Sequence, residues 1–399
     1  MQSNMKPVHY SLTAAVILLA AARSQAQGVI VVENPIAFVH AVERARPGEV
    51  IKIHPGVYNG QFAFKSIRGT ADKPITITAE DPANPPVFHG KKECLKFANP
   101  SWLVLDNLIL EGATVNGLNI DDGDSHRETA SHITLRNLRV RKIGRGGNNE
   151  AIKPSGLNYF TVENCVIEDW GAGDGQGIGM VGCHHVLIEG CTIGRGDAGQ
   201  KSVGIMAKGG STDVTIRRCT FVQAGERGVL IGGRTGRMFF RPQANQRFEA
   251  ERVVVEDCRF IGGETPVAFA GCIDCTFRFN TVYHPRGYLM RILREDPGPE
   301  FDDTQRNAVT DNIFVFNAGS LRETFNIGAA TQPGSFTFAR NWWYASDRPQ
   351  RSHVQIPATE VAGVYGIDPK LTDPEAGNLS LKPDSPAKAV GATHAVGSP

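Results

Sequence analysis

The sequence predicts an all-β, single-domain parallel β-helix: a solenoid of about nine to eleven coils with one capping helix at its N-terminal end. Three observations predict it. A six-residue phrase returns nine times at a nearly constant period. Gly-rich turns follow the copies, and no helical periodicity intervenes between them. The phrase is an apolar residue, two variable residues, then Leu, Cys or Asn, one variable residue and an apolar residue. It runs through Leu105–Leu110, Leu135–Val140, Val162–Ile167, Ile188–Ile193, Ile216–Phe221, Val255–Phe260, Phe277–Val282, Val309–Phe314 and Phe338–Trp343. Successive copies lie 22 to 39 residues apart.

Each phrase alternates with the period of a strand, and a second short strand follows the turn, as in Gly117–Ile120, Ala151–Pro154, Gly177–Met180, Gly204–Ala207 and Gly228–Ile231. Coils stack at the strand spacing of about 4.8 Å, so like residues lie over like residues. The fourth positions Cys165, Cys191, Cys219 and Cys258 then form an internal column of buried thiols. Asn280, Asn312 and Asn341 continue it with hydrogen-bonding side chains. The other ends of the chain differ. Asn34–Arg46 carries Pro35 just inside a capping Asn and apolar residues at helical spacing, and Pro47-Gly48 stops it. This gives N-terminal cap and first coils over 27–100, repeats over 101–345, and a tail over 346–399 that crosses the last coils.

Composition narrows the function. Lys plus Arg is 42 against 41 Asp plus Glu, a formal net charge of +1, which excludes a nucleic-acid binder held by bulk charge. With 41% hydrophobic and 21% charged residues, the chain is not generally disordered. Lys6 and His9 precede the apolar run Leu12–Ala22, and Ser24-Gln25-Ala26 supplies small residues for cleavage before Gln27. Residues 1–26 therefore read as a signal peptide, the mature chain as exported to the periplasm or outside the cell, with no membrane attachment after cleavage. Cys272-x-x-Cys275 stands alone, without zinc spacing. Nothing suggests an obligate partner, so a monomer is expected.

The run Val50–Tyr58, the run Gly69–Ala79 and the repeated phrases together resemble the pectate-lyase-like right-handed parallel β-helix superfamily. Residues 29–112 are most similar to chondroitinase-B and alginate-lyase type polysaccharide lyases. The closing Gly366-Ile367-Asp368-Pro369-Lys370 and Leu381-x-Pro-x-Ser385-Pro386-Ala387 are also common in that superfamily. The resemblance implies a right-handed coil. It is weak for activity, because this fold carries lyases, hydrolases, epimerases and inert adhesins.

Aligning the second strands gives the column Gly117, Ala151, Gly177, Gly204, Gly228, almost without side chains. Read as outward-facing, it is a groove for a linear polymer. Lys153 is the cation in the middle of this strip. A lyase acting on uronates must take a proton alpha to a carboxylate while positive charge holds that carboxylate. Lys153 is the candidate base and Arg227 a second catalytic candidate. Asn149-Glu150-Ala151-Ile152-Lys153 resembles the chondroitinase-B segment in which a Glu binds calcium and a downstream Lys is the base. That resemblance implies Glu150 as a Ca²⁺ ligand, although the gap is only three residues and Gly179 stands where a partner Arg is expected. Asp174 and Asp197, in the turns leading into the strip, and the run Asp121-Asp122-Gly123-Asp124 complete the candidate metal ligands. Asp and Gly also form plain solvated turns.

The long segment Arg234–Arg247 carries four Arg, no acid, and Phe239-Phe240. Guanidiniums suit carboxylate or sulfate, and rings suit sugar faces. Arg234, Arg237, Phe239 and Arg241, with Asn119 and Arg195, are the candidate substrate contacts. Arg291, Arg294 and Glu295 read as a local ion-pair network, and His184-His185 as turn residues. Three functions stay open: a lyase on acidic polysaccharide, a hydrolase or C5-epimerase on the same scaffold, and a non-catalytic carbohydrate-binding or structural β-helix.

Overall fold

The computed structural model describes residues 28–393, apart from 126, 145–148, 172, 195–201, 242–245 and 297. The leader 1–26 and the candidate residues Arg195 and Asp197 lie outside the described residues. Nearly every described strand is parallel to its neighbours and joins one of three sheets, here I, II and III in the order the chain visits them, of ten, fourteen and twelve strands. A representative coil runs Glu150–Ser155 in sheet I, Leu157–Glu163 in sheet II and Val166–Trp170 in sheet III. It stacks on Gln176–Val181, His184–Glu189 and Thr192–Gly194 of the next coil, with Ile152 paired to Ile178 and Val162 to Ile188. A coil therefore has three strands, where the repeat alone suggested two.

The difference lies in the phrase itself. Its nine copies are not strands but the corners between sheets II and III. The third residue of every copy has positive φ: Asn107, Asn137, Asn164, Gly190, Arg218, Asp257, Phe279, Asp311 and Arg340. One left-handed residue turns the chain sharply, and Asn, Asp and Gly tolerate that conformation best. The fourth residue then points inward. Cys165, Cys191, Cys219 and Cys258 are buried free thiols there, and burial pushes the Cys165 and Cys219 thiols well up. From Asn280 onward the rungs hydrogen bond directly. Asn280 Nδ2 donates to Asn312 Oδ1 at 3.0 Å, Asn312 Nδ2 to Asn341 Oδ1 at 2.9 Å, and Asn341 Nδ2 to Glu360 Oε1 at 2.8 Å. Glu360 also accepts from the Trp343 indole at 2.8 Å and so closes the ladder.

Both ends are covered. The helix spans Pro35–Glu43; the Asn34 side chain caps the Ala37 amide at 3.0 Å, and Phe38 and Val42 face the core. Phe38 packs edge-on against Phe62 and Phe64. At the other end the tail folds back over the outer face of sheet III. Leu371, Leu379, Ala387 and Val390 bury Tyr283, Ile313, Val315 and Trp342. The Thr393 amide reaches Asp257 at 2.6 Å, which carries the tail back across several coils.

The glycine column is not a groove. A Cβ on Gly177 would approach Trp170, one on Gly204 would meet Ile193 and Phe221 at 3.3 Å, and one on Gly228 would meet Phe260 at 2.9 Å. All four partners belong to the inner face of sheet III. These positions are bare because large core side chains from across the coil fill the space. Two successive residues, such as Gly177 and Ile178, thus face inward, and the simple in–out alternation slips at this point.

Candidate functional site

The slip moves the outer surface of sheet I by one residue and defines its real columns. One runs Lys96, Asn119, Lys153, with Gly179 next, placed by the flanking pairs Ile152–Ile178 and Ser155–Val181, then Met206, Leu230, Ala268 and Arg291. Beside it lie Glu93, Glu150, Gln176, Val203 and Arg227. The chain enters this strip from sheet III through segments carrying Asp174 and Glu226, and leaves it towards sheet II through segments carrying Asp122 and Arg234.

Glu150 and Lys153 form the centre. Lys153 Nζ lies 3.4 Å from Glu150 Oε2; the lysine is 37% exposed and the carboxylate 8%. Gly179 makes this possible, since a Cβ there would stand 2.8 Å from Glu150 Cγ. Burial raises the proton affinity of Glu150, and the charges of Lys153 and Lys208 oppose that rise. One to three strands further along, a cleft of about 470 Å³ brings together Asp174, Lys208, Glu226, Arg227, Arg234 and Glu295 over a floor of Val203, Met206 and Leu230. That floor is a small apolar cluster separate from the core. Arg227 pairs with Glu295 at 2.7 Å, and Arg291 with Glu226 at 2.8 Å, so the Arg291–Glu295 region is an ion-pair network.

The structure therefore gathers Glu150, Lys153, Asn119, Asp174, Arg227 and Arg234 on one face. Asn119 donates to Glu93 at 2.9 Å, and Arg234 is 71% exposed. The other candidates are engaged elsewhere. Asp121 pairs with Lys96 at 3.2 Å. Asp122, 1% exposed, accepts from Arg241 at 2.8 Å, while Asp124 is 90% exposed beside the same Arg at 4.0 Å. Arg241 is thus a fastener of the insert, not a substrate contact: its carbonyl also accepts from His184 Nε2 at 2.9 Å. Arg237 bonds the Gln246 carbonyl and lies 5.1 Å from the Phe240 ring centre and 5.2 Å from that of Phe301. Phe239 is half exposed on the insert. His184 also bonds Thr212 at 2.9 Å, and burial lowers its proton affinity; with His185 it opens the strand His184–Glu189, not a turn as the sequence suggested, and its role there is structural.

Of the candidate calcium ligands, Asp197 lies outside the described residues. Among the described residues no three His, Cys, Asp or Glu side chains converge as a metal would require. Asp121, Asp122 and Glu150 instead face cations of the chain itself. Sequence reasoning missed Lys208, Gln176 and Glu226. The signal for Lys208 was present only as the end of the Gly204–Ala207 strand, and register places it beside Val181, near enough for its charge to act on Glu150.

One further buried pair stands behind the insert. Glu249, fully buried, accepts from the Gly209 and Thr235 amides at 2.7 Å each and from the Thr235 hydroxyl at 2.8 Å. Burial, and then a side-chain contact with Asp296, raise its proton affinity to about 8.

Comparison with known proteins agrees with this architecture. A family model described as a right handed beta helix region matches residues 94–241. No curated protein sequence matches the chain. A polysaccharide lyase of family PL6 from Pseudopedobacter saltans is 14% identical, with a TM-score of 0.54 over 92% of this chain and 99% of that one. A pectate lyase is 14% identical, with a TM-score of 0.51 over 77% of this chain and 79% of that one. A tailspike protein of the Acinetobacter baumannii bacteriophage Fri1, a capsular polysaccharide depolymerase, is 13% identical, with a TM-score of 0.51 over 88% of this chain and 64% of that one. The fold is a right-handed parallel β-helix.

Proposed function

We propose that the protein is an exported polysaccharide lyase that opens uronate-containing glycans by β-elimination on the outer face of sheet I. The observation that carries this reading is Lys153, held at 3.4 Å against a buried carboxylate, beside a cleft lined by Lys208, Arg227 and Arg234. The similarity of the fold to polysaccharide lyases supports it without deciding the chemistry.

Lys153, neutral when the buried Glu150 carries the proton of the pair, takes the proton from the carbon alpha to the uronate carboxylate. The electron pair forms the new C4–C5 double bond as the C4–O4 bond breaks, and the Lys153 ammonium gives the abstracted proton to the leaving O4. Glu150 positions the lysine. Lys208 and the exposed Arg234 offer the positive charge that the substrate carboxylate needs as negative charge builds on it, while Arg227 is held by Glu295. This assignment places charge neutralisation on the chain's own cations, because among the described residues the acidic side chains do not gather as calcium ligands.

The test is ultraviolet absorbance during incubation of the mature chain with a panel of uronic-acid polysaccharides, with calcium and with chelator. Growth of the double-bond signal, unchanged by chelator, is expected. Reducing ends without that signal would show hydrolysis. Absence of both would move the reading to a binding or structural β-helix.

A further inference from the structure

The outer face of sheet I carries a pattern that one catalytic lysine does not explain. Glu93-x-x-Lys96 and Glu150-x-x-Lys153 are the same motif two strands apart in one register, with Asn116-x-x-Asn119 between them. Asn116 and Asn119 both turn their amides to Glu93, at 2.8 and 2.9 Å. The strand after Lys153 is bare at Gly179, and two strands beyond Lys153 stands Lys208, one column across, paired in register with Val181. Cations thus stand on alternate strands here, and the strand between the first two carries Asn116, Asn119 and Asp121. At the stacking distance this is a repeat of about 10 Å. Two concavities flank Lys153. One, of about 390 Å³, is lined by Lys65 and Lys96; the other is the cleft of about 470 Å³ lined by Lys208.

We propose that Lys96 and Lys208 are anion subsites on either side of Lys153, which hold a linear acidic glycan along the solenoid axis with one anionic group facing the strip per disaccharide. This rests on the lyase reading for the role of Lys153 but not for the binding itself. A disaccharide of an extended glycan spans close to two strand spacings, so the chain meets a cation at each repeat. Lys96 is 35% exposed and bound to Asp121 at 3.2 Å, and Lys208 meets only the Arg234 carbonyl, at 3.4 Å. Both ammonium groups keep donors for an incoming anion.

The test uses the Lys153→Ala variant, so that binding is read without turnover. Titration calorimetry with size-defined oligogalacturonates and chondroitin oligosaccharides, from disaccharide to octasaccharide, should show affinity rising in steps as the ligand grows. Adding Lys96→Ala or Lys208→Gln should each remove one step and weaken the longest ligand about tenfold, while leaving the shortest unchanged. Asp121→Asn separates the alternatives for Lys96. If the lysine serves only its ion pair, this change mimics Lys96→Ala; if it is a subsite, affinity is kept or gained. Losses independent of ligand length, or none, would overturn the proposal. Length steps without a double-bond signal from the unmodified chain would leave the subsites standing and remove the lyase reading. The double-bond signal without length steps would do the reverse.

Discussion

At the scale of single residues, the pair Asp122–Arg241 shows what the chain spends its charges on. Both side chains are almost wholly buried, and removing one partner leaves the other charge uncompensated. Asp122→Ala should therefore destabilise the protein by about 3 kcal/mol in urea unfolding, with or without calcium. A loss seen only in calcium would instead make Asp122 a metal ligand. Glu249 makes a prediction in pH. Its folded proton affinity, near 8, exceeds the ordinary carboxyl value of 4.5. The stability it contributes is complete below about pH 4.5 and is lost as pH rises through about 8. The melting temperature should fall across that window, and Glu249→Gln should flatten the fall. Neither pair was legible in the sequence, because Asp122 and Arg241 lie 119 positions apart and nothing local marks them as partners. Lys153, Glu150, Arg227 and Arg234 were legible, since position in a repeat predicts position in a solenoid.

At the scale of elements, the repeat was visible but its meaning was not. A left-handed residue between sheets II and III changes the direction of the chain without disturbing the alternation of apolar residues, so a corner reads as a strand. The glycine column misleads for a related reason: inward-facing Gly177 beside inward-facing Ile178 breaks the count on which a groove was inferred. Gly204→Ala tests the corrected placement. A Cβ there would press on the Gly228 carbonyl and on Ile193 and Phe221. Overpacking of this kind costs roughly 1–3 kcal/mol, so thermal stability should drop while glycan affinity of the folded fraction stays unchanged. Lost affinity at unchanged stability would return the column to the surface.

At the scale of the molecule, the solenoid divides its labour among three faces. The last strands of sheet III are covered by the tail, with Trp342 and Val315 beneath Leu371 and Leu379. Sheet II carries a stack of rings along its outside, Trp102, His132, Tyr159 and His185, at centre distances of 3.7 to 4.8 Å. Sheet I carries Glu150, Lys153 and the cleft beside them, and its long axis is the path proposed for the polymer. The fold was legible at this scale because every coil repeats the evidence; the choice of working face was legible only through Lys153. The most direct measurement compares absorbance from unsaturated uronate produced by the unmodified chain and by Lys153→Ala, with melting curves to establish that both are folded. The account predicts a steady signal from the first and a fall of at least about a hundredfold in the second, the scale of a lost acid–base group. Equal signals from both would contradict it.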